Sequence, residues 1–112
     1  MDCLFCKIIK REIPSDCIYE DDLVFAFRDI DPQAPKHFLV IPKKHIESVN
    51  DLMEEDEEHL LRIFLTIKKL AKEEGLEKGY RVVTNIGQEG GQSVNHLHFH
   101  VLGGRSLQWP PG

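Results

Sequence analysis

Within residues 94–102, Val-Asn-His-Leu-His-Phe-His-Val-Leu, three histidines alternate with three large apolar side chains. A period of two is that of a half-buried strand. Leu97, Phe99 and Val101 then share one face. His96, His98 and His100 share the other, with Cα atoms roughly 6.5–7 Å apart along the row. Shorter apolar or alternating runs predict four more strands, at 18–20, 23–28, 37–41 and 80–85. The run at 37–41, His-Phe-Leu-Val-Ile, is nearly all apolar and reads as a central strand. Pro42 closes it. The segment 29–35 holds two prolines and two aspartates and reads as a loop.

Helical periodicity appears twice. Leu4, Phe5, Ile8 and Ile9 fit a short helix with one apolar side, stopped before Pro14. A long helix begins at or near Asp51, with Glu54 to Glu58 in its first turns and Lys68, Lys69 and Lys72 in its last. That order complements the helix dipole. Gly75 or Gly79 marks its exit. Leu60, Phe64, Ile67 and Ala71 form its apolar stripe, widened by Leu61 and Leu65. A stripe so wide fits either burial against both the chain's own sheet and a partner subunit, or a well-covered core helix. Strands joined by short loops, with one long helix between the third and fourth, predict an α+β domain spanning 1–112. Its parts are a five-stranded antiparallel sheet, the long helix and the short N-terminal one.

Composition narrows the function. A net charge of −5 gives no basic footprint for a nucleic-acid duplex. No apolar run reaches the roughly 20 residues that cross a bilayer. Met-Asp-Cys-Leu-Phe-Cys-Lys does not read as a secretion signal, so a cytoplasmic location is expected. The three cysteines then read as thiols or metal ligands rather than a disulfide framework.

The candidate chemistry centres on the histidine row. Imidazole exists in both protonation states near neutral pH, and its neutral form is a nucleophile. The loop 87–93, Gly-Gln-Glu-Gly-Gly-Gln-Ser, runs directly into that row. Its glycines let backbone N–H groups converge on an anion such as phosphate, and Gln92 and Ser93 add side-chain donors. Alternating histidines on a strand also suit a metal ion, so a metallohydrolase is a competing reading. Cys3 and Cys6 form a C-x-x-C pair, which His45 and His96 could complete as a tetrahedral site. Two reduced structural cysteines are the alternative. His59, among acidic residues, reads as a solvated surface side chain, and Cys17 as a thiol without a role.

The row His96-Leu-His-Phe-His-Val-Leu102 resembles the motif that names the histidine-triad family, H-φ-H-φ-H-φ-φ with φ apolar. Asp29-Ile-Asp-Pro-Gln-Ala-Pro-Lys-His-Phe-Leu-Val-Ile-Pro-Lys-Lys-His45, Gly90-Gly-Gln-Ser93 and Trp109-Pro-Pro-Gly112 are similar to its Hint branch, and His100 favours that branch. The resemblance implies a homodimer that binds a purine nucleotide of AMP or GMP type and hydrolyses nucleoside phosphoramidates. By it His98 is the nucleophile that forms a nucleotidyl-histidine. His100 contacts the phosphate and helps move protons, His37 lies in a proton relay and Ser93 touches the leaving group. Asn85, Gly91 and Gln92 fall near the phosphate, and Asp29 accepts from the ribose hydroxyls. Leu4, Phe5, Ile8, Phe27 and Ile30 enclose the base, while Trp109 reaches the partner's site. It further implies a structural zinc on Cys3, Cys6, His45 and His96, and no organic cofactor. A nucleotide-binding interaction protein with incidental hydrolysis is the alternative function.

Overall fold

A computed structural model describes residues 2–112. Its strands are β1 (Cys17–Glu20), β2 (Val24–Arg28), β3 (Lys36–Pro42), β4 (Tyr80–Val83) and β5 (Phe99–Gly103). They form one antiparallel sheet in the order β1-β2-β3-β5-β4. The helices are α1 (Leu4–Ile9) and α2 (Glu57–Glu73). This is the α+β architecture expected from the sequence. No helix among the described residues is long and apolar enough to cross a membrane.

The two helices pack near opposite faces of the sheet, which explains the apolar central strands. On one face Val24, Ala26, Phe38, Val40, Phe99 and Val101 meet Ile63, Ile67 and Leu70 of α2. On the other, Phe25, Phe27, Leu39 and Ile41 meet Phe5 and Ile8 of α1. Strands β2 and β3 are therefore buried on both sides. The alternation in the histidine row assigns its apolar set, Leu97, Phe99 and Val101, to the α2 face. Its histidines turn to the α1 face, where Phe5 lies against His96 and His98.

Several boundaries and faces differ from the sequence reading. The fifth strand begins at Phe99, because the last β3 pair is Val40 with Phe99 and the last β4 pair is Val83 with His100. Residues before it are held otherwise: Leu97 N–H donates to the Ile46 carbonyl at 2.6 Å and Thr84 Oγ1 to the His98 carbonyl at 2.8 Å. The fourth strand ends before Thr84 for the same reason. Helix α2 starts at Glu57, not near Asp51, after two separate 3-10 turns at Val49–Asp51 and Glu54–Asp56. The Ser48 hydroxyl closes the first turn by accepting Asn50 N–H, and the buried Asp56 carboxylate holds Met53 N–H and Lys44.

The buried stripe of α2 is Ile63, Thr66, Ile67, Leu70 and Ala71. Leu61, Phe64 and Leu65 are instead 61%, 48% and 49% exposed, which leaves an apolar flank uncovered on the single chain. Gly75 ends the helix with φ +78°. Leu76 N–H bonds the Ala71 carbonyl and Gly75 N–H the Lys72 carbonyl, a Schellman closure with Leu76 buried. His59 is half-buried rather than solvated: its Nδ1 points inward without a hydrogen-bond partner.

Candidate active site

The N-terminal turn builds one corner of the site. Cys3 caps α1, and its Sγ accepts the Cys6 N–H at 3.3 Å, which draws both thiols to one side. His45, on the connection after β3, and His96 complete a cluster whose ligand atoms all lie within 4.8 Å of one another. The separations are 3.4 Å from Cys3 Sγ to His96 Nδ1 and 3.4 Å from Cys6 Sγ to His45 Nδ1. They are 3.6 Å from Cys6 Sγ to His96 Nδ1 and 3.3 Å between the two Nδ1 atoms. A tetrahedral ion with metal–S near ~2.3 Å and metal–N near ~2.0–2.1 Å would space S and N roughly 3.5 Å apart and two nitrogens roughly 3.4 Å apart. The four donors can hold a metal ion on this spacing.

Their protonation also fits. His96 Nε2–H donates to the Pro42 carbonyl at 2.8 Å, which leaves the Nδ1 lone pair facing the thiols. Burial pulls the His96 pKa down to about 4, so the ring is neutral at pH 7. An outer hydrogen bond of this kind fixes the tautomer of a ligating histidine. Burial, with Cys3 beside it, pushes the Cys6 thiol up to about 11, so a bound cation must displace its proton.

Two residues along on the same face, His98 carries the opposite tautomer. Its Nδ1–H donates to the His96 carbonyl at 2.7 Å. The neutral ring therefore carries its lone pair on Nε2. Burial lowers its pKa from the ordinary histidine value, against the opposing effects of that hydrogen bond and of Asp29. Phe5 stands edge-on to the ring, with centroids 5.1 Å apart at 89°. A neutral, oriented imidazole with a free Nε2 is the form in which histidine attacks an electrophile.

His100 and His37 form a hydrogen-bonded pair whose direction follows from the backbone. Gln33 N–H donates to His37 Nδ1 at 3.1 Å. Since Nδ1 accepts, the neutral His37 ring carries its proton on Nε2, which lies 2.9 Å from His100 Nδ1. That second Nδ1 accepts in turn, so the His100 proton sits on Nε2. Burial, then His98 and His37, lower the His100 pKa to about 4, while Asp29 opposes them. His37 is likewise lowered, chiefly by burial. Asp29 Oδ2 is 3.4 Å from His37 Nε2 and 3.8 Å from His100 Nδ1, while its Oδ1 accepts Asp31 N–H at 2.8 Å.

A family model described as the HIT domain matches residues 10–107. The chain belongs to the HIT domain family. An uncharacterised HIT-like protein of Synechococcus elongatus is 57% identical over 111 residues, covering 99% of this chain and 97% of the relative. A solved HIT family hydrolase from Legionella pneumophila superposes with a TM-score of 0.97 at 55% identity, covering 99% of this chain and 100% of that one. A histidine triad nucleotide-binding protein from Candida albicans gives 0.84 at 36% identity, covering 97% and 83%.

The HIT domain gathers some of the remaining sequence candidates and separates others. Phe5, Ile8 and Phe27 fall in one buried cluster, whereas Leu4 is half-exposed and Ile30 is 97% exposed. Ser93 is exposed and lines a cleft of about 430 Å³ together with Leu4 and His45. Gly91 turns the loop with φ +81°. The Gln92 side chain braces that loop: its Oε1 accepts Gly87 N–H, and its Nε2 donates to the Glu47 carbonyl at 2.6 Å and the Val94 carbonyl at 3.1 Å. Its amide is thus tied to the backbone rather than free to act as a donor in the site. Asn85 is half-buried just after β4, and Trp109 stands 82% exposed on the tail.

Several groups that orient this HIT site gave no signal in the sequence. The Gln33 N–H is a backbone donor that any residue but proline could supply, and the Pro42 and His96 carbonyls are acceptors that any residue type could supply. Thr84 carries a side-chain hydroxyl, but nothing in its local pattern marks it.

Proposed function

We propose that this HIT protein hydrolyses purine nucleoside phosphoramidates through a nucleotidyl-His98 intermediate. The observation that carries the reading is the His98 Nδ1–H bond to the His96 carbonyl, which leaves Nε2 free in a neutral ring. His98 Nε2 bonds to the α-phosphorus as the phosphorus–nitrogen bond breaks. The leaving nitrogen departs with a proton from the His37–His100 pair, through His100 Nε2–H. Asp29 and the substrate's own phosphate charge favour the extra proton on that pair. Water then attacks the phosphorus, its proton returns to the pair, and the His98–phosphorus bond breaks to release the nucleotide. Ser93 lies on the leaving-group side, and Asn85 with the Gly91–Gln92 backbone lies near the phosphate. Phe5, Ile8 and Phe27 form the apolar floor under the purine, with Leu4 and Ile30 at its rim. Asp29 also accepts from the ribose hydroxyls. The solved relatives named as a hydrolase and as a nucleotide-binding protein support both halves of this reading.

The test is incubation with adenosine 5′-phosphoramidate. Release of AMP and ammonia is expected. Tight AMP binding without turnover of any phosphoramidate would favour a nucleotide-binding interaction protein instead.

The pH dependence carries a second check. A lowered His98 pKa means that the neutral nucleophile persists as pH falls through the ordinary imidazole value. The acid limb of kcat/KM is therefore expected below pH ~6.5, since that profile reports groups of the free enzyme. A limb centred at or above that value would contradict a buried neutral nucleophile.

The same proposal holds Cys3, Cys6, His45 and His96 around a structural zinc, whose chemistry is to pin α1 to the chain before β5. It also places a second copy over the exposed Leu61, Phe64 and Leu65 flank, with Trp109 reaching the partner's site. Charge placed on that flank by Leu61→Glu with Leu65→Glu is expected to turn a dimer into a monomer in sedimentation. A wild-type chain that sediments as a monomer at micromolar concentration would remove the dimer from the reading.

A further inference from the structure

We propose that Arg105, in the turn after β5, is a positioning residue for the His37–His100 pair. The inference rests on the hydrolase reading for its kinetic arm alone.

The pair's proton order depends on one peptide N–H, that of Gln33, in the loop between β2 and β3. This loop is mostly exposed, and its prolines lack the N–H groups that could pin it. The turn after β5 supports it from outside. Arg105 Nη2 donates to the Gln33 carbonyl at 3.1 Å, while Nη1 donates to the Ser106 carbonyl at 3.1 Å. Gln33 is thus held on both sides: its carbonyl by the guanidinium, its N–H by His37.

Gly104 makes the approach possible. Its φ is +94°, and a Cβ there would stand 2.9 Å from Pro35 Cβ. Register places the two segments together, because Gly103 pairs with Lys36 at the end of the β3–β5 ladder. Turn and loop therefore form one clamped unit. Arg105 touches none of the reacting groups, yet it is two hydrogen-bonded residues away from His100. With the clamp in place His37 Nδ1 is always the acceptor, and the site-facing nitrogen of His100 carries the hydrogen. If the loop loosens, the Gln33 N–H leaves Nδ1, both tautomers of His37 become accessible, and the His100 proton loses its fixed place.

The experiment compares wild type, Arg105→Met and Arg105→Lys. Methionine keeps an apolar stem and removes every donor, while lysine keeps one charged donor able to reach a carbonyl. Histidine ¹⁵N spectra report the tautomers directly and require no substrate. Wild type is expected to show His37 protonated on Nε2 alone, and Arg105→Met a mixture at His37 and His100. With adenosine 5′-phosphoramidate, kcat of Arg105→Met is expected to fall roughly tenfold, less than the ~100-fold that a 1 Å misplacement can bring. KM is expected to stay within about twofold, since no substrate contact is lost. Arg105→Lys is expected to restore most of the single-tautomer signal and most of kcat; Arg105→Ala, which also removes every donor, replaces the methionine variant if that one fails to fold, with the same mixed-tautomer spectrum expected. Unchanged histidine spectra in Arg105→Met, or a loss of kcat that tracks melting temperature alone, would overturn the assignment. A wild type that turns over no phosphoramidate would refute the hydrolase reading, and the spectra would still decide the role of Arg105.

Discussion

Replacing His98 with asparagine is expected to remove phosphoramidate hydrolysis, with kcat lower by roughly 10⁴–10⁶-fold, the scale on which members of a catalytic unit act. The choice of asparagine follows from the geometry. Its amide N–H₂ occupies the place of the His98 Nδ1–H, so the bond to the His96 carbonyl survives. No atom replaces Nε2. His98 is buried against Phe5, so alanine would open a cavity and confuse lost chemistry with lost packing. AMP binding measured by calorimetry should stay within about tenfold of wild type, because phosphate and base contacts remain. Denaturing quench of a His100 variant at alkaline pH, where a phosphorus–imidazole bond survives, should trap nucleotide on the protein if the second half-reaction needs the pair, and the double variant with His98→Asn should trap none. Turnover by His98→Asn within tenfold of wild type would eliminate His98 as the nucleophile.

Treatment with a chelator should act on stability rather than on chemistry. Helix α1 has only six residues, too few to persist alone in water. Phe5 and Ile8 anchor it on one side and the Cys3–Cys6–His45–His96 cluster ties its start to the chain before β5. A cation bound at a thousand times its dissociation constant stabilises the native state by about 4 kcal/mol. For a domain of this size each kcal/mol moves Tm by roughly 4–8 °C, so chelation should lower Tm by more than ~10 °C. Calorimetry with and without chelator measures this, and Cys3→Ser with Cys6→Ser should reproduce the chelated value. Below its lowered Tm the stripped protein should still turn over substrate, since His98 and His100 are not among the four donors. Immediate loss of catalysis with an unchanged Tm would point to a metallohydrolase and refute the structural role.

The legible part of this molecule was the part written in side-chain periodicity. Alternation around His96, His98 and His100 placed Leu97, Phe99 and Val101 on the correct face, and the apolar run of β3 placed it at the centre. The C-x-x-C spacing was legible because a cap and one helical turn bring two sulfurs together. Where the reading slipped, a local polar contact outweighed the pattern. Asp56 turned its carboxylate back to Met53 and Lys44, which delayed α2 by more than a turn. Phe64 has the right period to be core, but Ile63 and Ile67 already fill that face, so its ring sits at the border, edge-on to Phe99 at 5.3 Å. The protonation order of the histidines was invisible in the sequence, because backbone amides and carbonyls set it.

His96 joins two jobs that can be inherited separately. Its imidazole belongs to the thiol cluster, while its carbonyl orients His98. A carbonyl survives every substitution at its own residue. A lineage could therefore discard both cysteines, fill the vacated corner with other side chains, and keep the His98 ring aimed throughout. The reverse path is closed: a change that tilts the 96–97 peptide, such as a proline or an insertion there, would disturb both at once. Exchange of the residue 96 side chain is tolerated by one function and insertion by neither, an asymmetry that a deep mutational scan of 94–96 would display as a contrast between exchanged and inserted residues.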